Sequence, residues 1–222
     1  MNNGFNRGKE LFMNKGIIFD LDGTLWDSSE QVVKSWNEVL SRRAGKTITV
    51  ADMQGYMGKT LEKIGELMLP DISADLRSDI MREACENEQI FLSKHGAKLF
   101  PELENVLKQL SEKYKLFIVS NCQGGYIETF LEYYGFEKYF TDHECPGGSG
   151  LEKAGNIRLV CERNHLEKAV YIGDTQGDCD STEEAGIPFI HAAYGFGTID
   201  HDVPKIFSLT EIEQAVKPFL GG

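Results

Sequence analysis

Short apolar runs that close on a polar residue constrain this chain more than any other feature. Three of them are residues 16–20 (GIIFD), 115–120 (KLFIVS) and 169–174 (AVYIGD). Unbroken runs of this length, without alternation, are the pattern of strands buried on both faces. Helical segments precede the second and third: Leu103, Val106, Leu107 and Leu110, then Ile157, Val160 and Cys161, recur at i, i+3, i+4 spacing. A fourth run, 187–191, follows Ala185-Gly186, a pair suited to ending a helix. Strands alternating with helices predict an α/β chain built on a Rossmann-like parallel sheet covered on both faces.

Between the first and second strands the period changes. Val32, Val33, Trp36, Val39 and Leu40, then Leu61, Ile64, Leu67 and Met68, then Leu76, Ile80, Ile90 and Phe91 give helical spacing, with breaks at Gly45, Gly58 and Pro70. Residues 29–96 are therefore expected to form an inserted helical bundle, and residues 15–28 and 97–222 the sheet domain.

Composition excludes several classes of function. The net charge is −12, and the densest basic stretch is the pair Arg42 and Arg43. A nucleic-acid binder needs clustered Lys and Arg to meet phosphates, so no nucleic-acid partner is expected. The longest apolar stretches fall far short of the roughly 20 residues that cross a bilayer, so no membrane partner is expected either. The first dozen residues are polar and unlike a secretory signal, and Met13 could be the native start. Five cysteines, Cys85, Cys122, Cys145, Cys161 and Cys179, are scattered without a C-x-x-C pair, which suggests a reducing, cytoplasmic setting.

Chemistry concentrates where the strands end. Asp20-Leu21-Asp22-Gly23-Thr24-Leu25 follows the first strand. Two carboxylates so placed can share a crevice, where they repel each other unless a cation intervenes. Mg²⁺ meets that need, because it takes a few oxygen ligands and bridges to phosphate. A helix cap would account for one acid, not both. Gly173-Asp174-Thr175-Gln176-Gly177-Asp178 follows the third strand. Capping alone explains Asp174 or Asp178 about as well as metal binding does, and only their pairing with Asp20 and Asp22 at one sheet edge favours a cation. Ser120 and Asn121 offer a hydroxyl and an amide to a phosphoryl oxygen. Lys153 opens a helix, where its charge opposes the macrodipole unless it faces an anion.

In this order the motifs resemble those of the haloacid dehalogenase superfamily of phosphohydrolases, from Lys15 onward, and residues 29–96 resemble the C1-type helical cap of its phosphoglycolate phosphatase-like members. Ala154 follows Lys153 where the family often has proline. The resemblance implies an Mg²⁺-dependent phosphatase acting on a small phosphorylated metabolite. Asp20 would be the nucleophile, Asp22 the general acid and base, and Ser120, Asn121 and Lys153 the phosphate-binding groups. Asp20, Asp22 through its backbone carbonyl, Asp174 and Asp178 would hold the metal. Lys59, in the cap turn, is a candidate for contact with the substrate tail, although a solvated lysine explains it as simply. A sugar-phosphate mutase shares these motifs; a non-catalytic phosphate acceptor shares only the strand-end acid. Dehalogenases and phosphonate-cleaving members typically lack an acid at the position of Asp22. Trp26 and His191 are expected to be core residues.

Overall fold

The computed structural model describes residues 14–221; Met13 and the residues before it lie outside the described part. Strands β1 (Lys15–Phe19), β4 (Lys115–Val119), β5 (Phe140–Glu144), β6 (Lys168–Gly173), β7 (Phe189–Ala192) and β8 (Lys205–Ile206) form a parallel sheet in the order β5-β4-β1-β6-β7-β8. A second, antiparallel pair joins β2 (Trp26–Asp27) to β3 (Lys98–Leu99). The α/β fold and its central parallel sheet follow the sequence expectation.

Alternation along the central strands feeds two cores. Ile17, Phe19, Leu116, Ile118, Val170 and Ile172 face one side, with α5 (Leu103–Ser111), α6 (Tyr126–Tyr134) and α10 (Ile212–Leu220). Ile18, Phe117, Val119, Ala169 and Tyr171 face the other, with α8 (Lys153–Arg163) and α9 (Gln176–Ala185). Each fully buried apolar side chain contributes about 1.5–3 kcal/mol relative to exposure. That is why runs without alternation become the centre of a sheet covered twice.

Four strands, β2, β3, β5 and β8, are absent from the sequence expectation. β5 reads FTDHE and lies at the sheet edge, half-exposed, so it carries no apolar run to announce it. Its acids Asp142 and Glu144 are held by Arg163 of α8, at 2.6 and 2.7 Å. β2 and β3 are two residues each, too short for any periodicity.

Between β2 and β3 the chain makes four helices, α1 (Ser29–Ala44), α2 (Val50–Tyr56), α3 (Leu61–Met68) and α4 (Ala74–His95). The breaks fall where the sequence marks them. Gly45 ends α1 in the left-handed region at φ 61°, Gly58 lies between α2 and α3, and Pro70 follows α3. Thr49 and Asp52 form a capping box at the start of α2. The short α7 (Pro146–Ser149) precedes α8.

Among the described residues no helix is long and apolar enough to cross a membrane, and all five cysteines are unpaired.

Candidate active site

Register brings the chemical residues together. Phe19 pairs with Ile118 on one side and with Ile172 on the other, so β1, β4 and β6 end almost level. Asp20, Ser120 and Asp174 then leave the same edge of the sheet, and all three are buried.

Lys153, on the first turn of α8, is 2 % exposed and donates to Asp20 Oδ1 at 2.8 Å and to Asp178 Oδ1. The lysine that opposes its helix dipole thus faces two anions. Burial works against its charge, but Asp178 and Asp20 hold the ammonium above the ordinary lysine range. Asp178 makes two kinds of contact, of which the sequence offered one, the cap. Its Oδ1 takes Lys153, while Oδ2 accepts from the Thr175 amide at 2.9 Å and hydroxyl at 2.7 Å, closing a capping box on α9. Burial opposes the Asp178 charge, yet Lys153 and Thr175 pull its carboxyl below the usual range.

Asp174 accepts from the Phe196 amide on Oδ2 at 2.7 Å, and Thr24 lies 3.5 Å from Oδ1. Gly23, at φ 84°, packs against it so closely that a Cβ would stand 2.2 Å from Oδ2. Burial, then the charges of Asp178 and Asp20, push the Asp174 carboxyl well above the ordinary range. Burial likewise raises Asp20 to about 7, against the pull of Lys153.

One oxygen each from Asp20, Asp174 and Asp178 lie within 4.8 Å of one another. Three buried carboxylates with one ammonium leave an excess of negative charge in a low-dielectric place. An all-oxygen set with that excess fits a hard divalent cation such as Mg²⁺.

Asp22 is set apart from this cluster. Its Oδ1 accepts from Ser28 at 2.5 Å and from Tyr126 at 3.0 Å, and Tyr126 also donates to Ser28 at 3.0 Å. The side chain therefore does not join the acidic cluster, and any contribution of Asp22 to a cation rests with its backbone carbonyl. Burial raises its pKa to about 6, while the hydroxyls of Ser28 and Tyr126 hold it down. A carboxyl poised near neutrality can both give and take a proton.

A cleft between the sheet edge and the helices is lined by Asp20, Asp22, Ser120 and Asn121 below and by Trp36, Met53 and Glu88 above. Asn121 donates its side-chain amide to the Gly58 carbonyl at 3.0 Å, which ties the helical layer to the sheet edge. Lys59 lies at the rim, exposed, with its ammonium on the Gly55 carbonyl at 2.8 Å. Trp26 and His191 are buried, as expected.

Sequence reasoning missed Ser28, Tyr126, Thr175 and Glu88. Thr175 alone carried a signal, since Thr175-x-x-Asp178 is a capping-box pattern. Tyr126 and Glu88 reach the cleft only through packing.

With this geometry in place, residues 17–192 match the model of the haloacid dehalogenase-like hydrolases. The chain belongs to that family and is an enzyme, a hydrolase. It is 26% identical over 208 residues to a phosphoglycolate phosphatase of Aquifex aeolicus, covering 90% of this chain and 94% of the relative. It is 25% identical over 195 residues to a phosphoglycolate phosphatase of Vibrio parahaemolyticus, covering 82% and 85%. In fold it superposes on a haloacid dehalogenase-like family hydrolase from Streptococcus pneumoniae with a TM-score of 0.78, at 24% identity and over 90% and 96% of the two chains.

Proposed function

We propose that this hydrolase releases inorganic phosphate from a small phosphomonoester through an aspartyl-phosphate on Asp20. The observation that carries the reading is the division of labour between the two acids of the first motif. Asp20 is fixed by Lys153 beside Ser120, and Asp22 is held separately by Ser28 and Tyr126.

In the first step an Asp20 oxygen attacks phosphorus, the bond to the ester oxygen breaks, and Asp22 protonates the departing alkoxide. In the second, Asp22 takes a proton from water, the water oxygen attacks phosphorus, and the acyl-phosphate bond breaks to give phosphate and free Asp20. Lys153, Ser120 and the Asn121 amide would hold the phosphoryl oxygens through both transfers. Asp20, Asp174 and the Asp22 carbonyl would hold Mg²⁺, with Asp178 orienting Lys153 beside them. When bound, the ion neutralises charge on the phosphoryl oxygens.

Residues 29–96 are read as the cap that encloses the leaving group. The five unpaired cysteines suit a cytoplasmic enzyme.

The test is phosphate release from a panel of sugar phosphates, nucleotides and small phosphate esters with Mg²⁺, with Asp20→Asn as control. Release that Asp20→Asn abolishes supports the proposal. Interconversion of phosphate isomers without free phosphate would make the protein a mutase instead. Long-lived phosphorylation of Asp20 without turnover would make it a phosphate acceptor.

A further inference from the structure

The upper wall of the cleft carries an acid that phosphoryl transfer does not use. Glu88 lies midway along α4, is 7 % exposed, and lines the same cleft as Asp20, Asp22 and Ser120. Trp36 donates its indole N–H to Oε2, and no other hydrogen bond to the carboxyl is present among the described residues. Around it the cap side of the cleft is largely apolar: Val32, Met53, Met57, Leu61 and Ile64. The one cation lining the cleft among the described residues is Lys59, exposed at the rim with its ammonium on the Gly55 carbonyl.

We infer that the substrate's leaving group ends in an amine or a hydroxyl that donates to Glu88, and not in a carboxylate. The inference rests on the phosphatase reading above and adds the class of alcohol released. A carboxylate there would find Lys59 already on the Gly55 carbonyl and at most one hydrogen bond from the protonated Glu88, and a buried charge so poorly paired is strongly unfavourable. A donor would satisfy the free Oε1. The same argument turns the cleft against glycolate, the leaving group of the esters for which the Aquifex and Vibrio relatives are named. Burial raises the Glu88 pKa to about 8, Trp36 opposing and Asp22 adding to the rise. Near neutrality the acid is thus a hydrogen-bonding partner for a hydroxyl, and an ammonium would draw off its proton to form an ion pair.

Three esters decide it: phosphoethanolamine, glycerol phosphate and phosphoglycolate. The wild-type protein is expected to turn over one or both of the first two with a kcat/KM at least about tenfold above that for phosphoglycolate. Glu88→Gln keeps an acceptor for Trp36 and should narrow the ethanolamine preference about tenfold. Preference for phosphoglycolate in the wild type, or equal losses on all three esters in Glu88→Gln, would overturn the inference. If none of the three is hydrolysed, the broader panel decides the phosphatase reading, and calorimetric binding of the same three compounds to Asp20→Asn decides the preference.

A separate set of donors, on the exposed side of α9, carries a second site. Cys179 Sγ stands 3.8 Å from His201 Nε2 and 3.9 Å from Glu183 Oε1, and that Nε2 lies 3.2 Å from the same carboxylate oxygen. Tetrahedral zinc, at about 2.3 Å from sulfur and about 2.0 Å from nitrogen and oxygen, separates its ligands by about 3.3–3.6 Å. The three spacings approximate one face of that tetrahedron. Asp200 Oδ1 lies 2.8 Å from His201 Nδ1. A carboxylate on Nδ1 leaves Nε2 with its lone pair toward the thiol, the usual support of a metal-binding histidine.

We propose that Cys179, Glu183 and His201 bind a zinc-class ion. Cys179 is buried, while Glu183 and His201 are exposed, so the fourth position opens to water. The thiol would release its proton to solvent as the sulfur–metal bond forms.

The test titrates the whole protein with Co²⁺ under saturating Mg²⁺. A sulfur-to-cobalt charge-transfer band is expected, and Zn²⁺ should displace it. Cys179→Ser should abolish the band, His201→Ala should weaken binding about tenfold or more, and Asp200→Asn about 10–100-fold. No band, or one that persists in Cys179→Ser, would overturn the site and leave His201 as the protonated partner of two acids.

Discussion

At the scale of single residues, the active acids differ because their neighbours differ. Asp20 and Asp22 are two positions apart, yet one faces an ammonium and the other two hydroxyls. Asp20→Asn removes the proposed nucleophile and is expected to reduce phosphate release to background, with the far-UV circular dichroism unchanged. Tyr126→Phe removes a donor to the ionised form of Asp22, so the Asp22 pKa should rise from about 6. A hydrogen bond to a charged group contributes about 1.5–3 kcal/mol, so the limb of the kcat/KM profile assigned to Asp22 should move up by about one pH unit. An unmoved limb would remove Tyr126 from the proton-handling network.

Glu88 gives the opposite of the usual carboxylate linkage. Its pKa rises from 4.5 unfolded to about 8 folded, so between those values the folded state binds more protons and stability falls as pH rises. Glu88→Gln should therefore unfold at a higher temperature relative to wild type at pH 9 than at pH 5, as read by thermal melts at the two values.

At the scale of elements, the seam between the helical layer and the sheet edge borders the cleft. Gly58 sits there at φ 79°, its carbonyl bound by Asn121, and a Cβ would come within 3.0 Å of the Thr175 side chain. Only glycine adopts that backbone freely; another residue costs roughly 1–2 kcal/mol before any clash. Gly58→Ala is expected to lower kcat/KM about tenfold through imperfect closure while the melting temperature of the sheet domain changes little. An unaltered kcat/KM would show that closure does not depend on this contact. The elements that sequence reading missed share a cause. β5 is polar because it is an edge strand, and β2 and β3 are joined by residues distant in the chain. Neither situation leaves an apolar period to read.

At the scale of the whole molecule, the fold holds together charges that oppose it. Asp20, Asp174 and Asp178 are buried together with only Lys153 to compensate. The proposed Mg²⁺, bound by the folded protein alone, would at 100 times its dissociation constant add about 2.7 kcal/mol of stability. The expected result is a rise in melting temperature with Mg²⁺ that chelation reverses. Asp174→Asn should melt higher than wild type without metal, having lost a buried charge, and should respond little to Mg²⁺.

The sequence by itself determined the parallel sheet, the helical insertion and the acids, hydroxyl and lysine at the strand ends. Those features are local: runs of β1, β4 and β6, glycine and proline breaks, and polar residues adjacent to each run. Only the tertiary structure decided how they divide the chemistry. For Asp178 it added Lys153 on one oxygen and Thr175 on the other. For Asp22 it added Ser28 and Tyr126, which hold the side chain away from the other acids. Glu88 looked like one more acid in the polar run 86–89 (ENEQ); packing of α4 against α1 buried it over the cleft. Burial and hydrogen-bond partners set a carboxyl group's protonation, and both come from residues far apart in the chain.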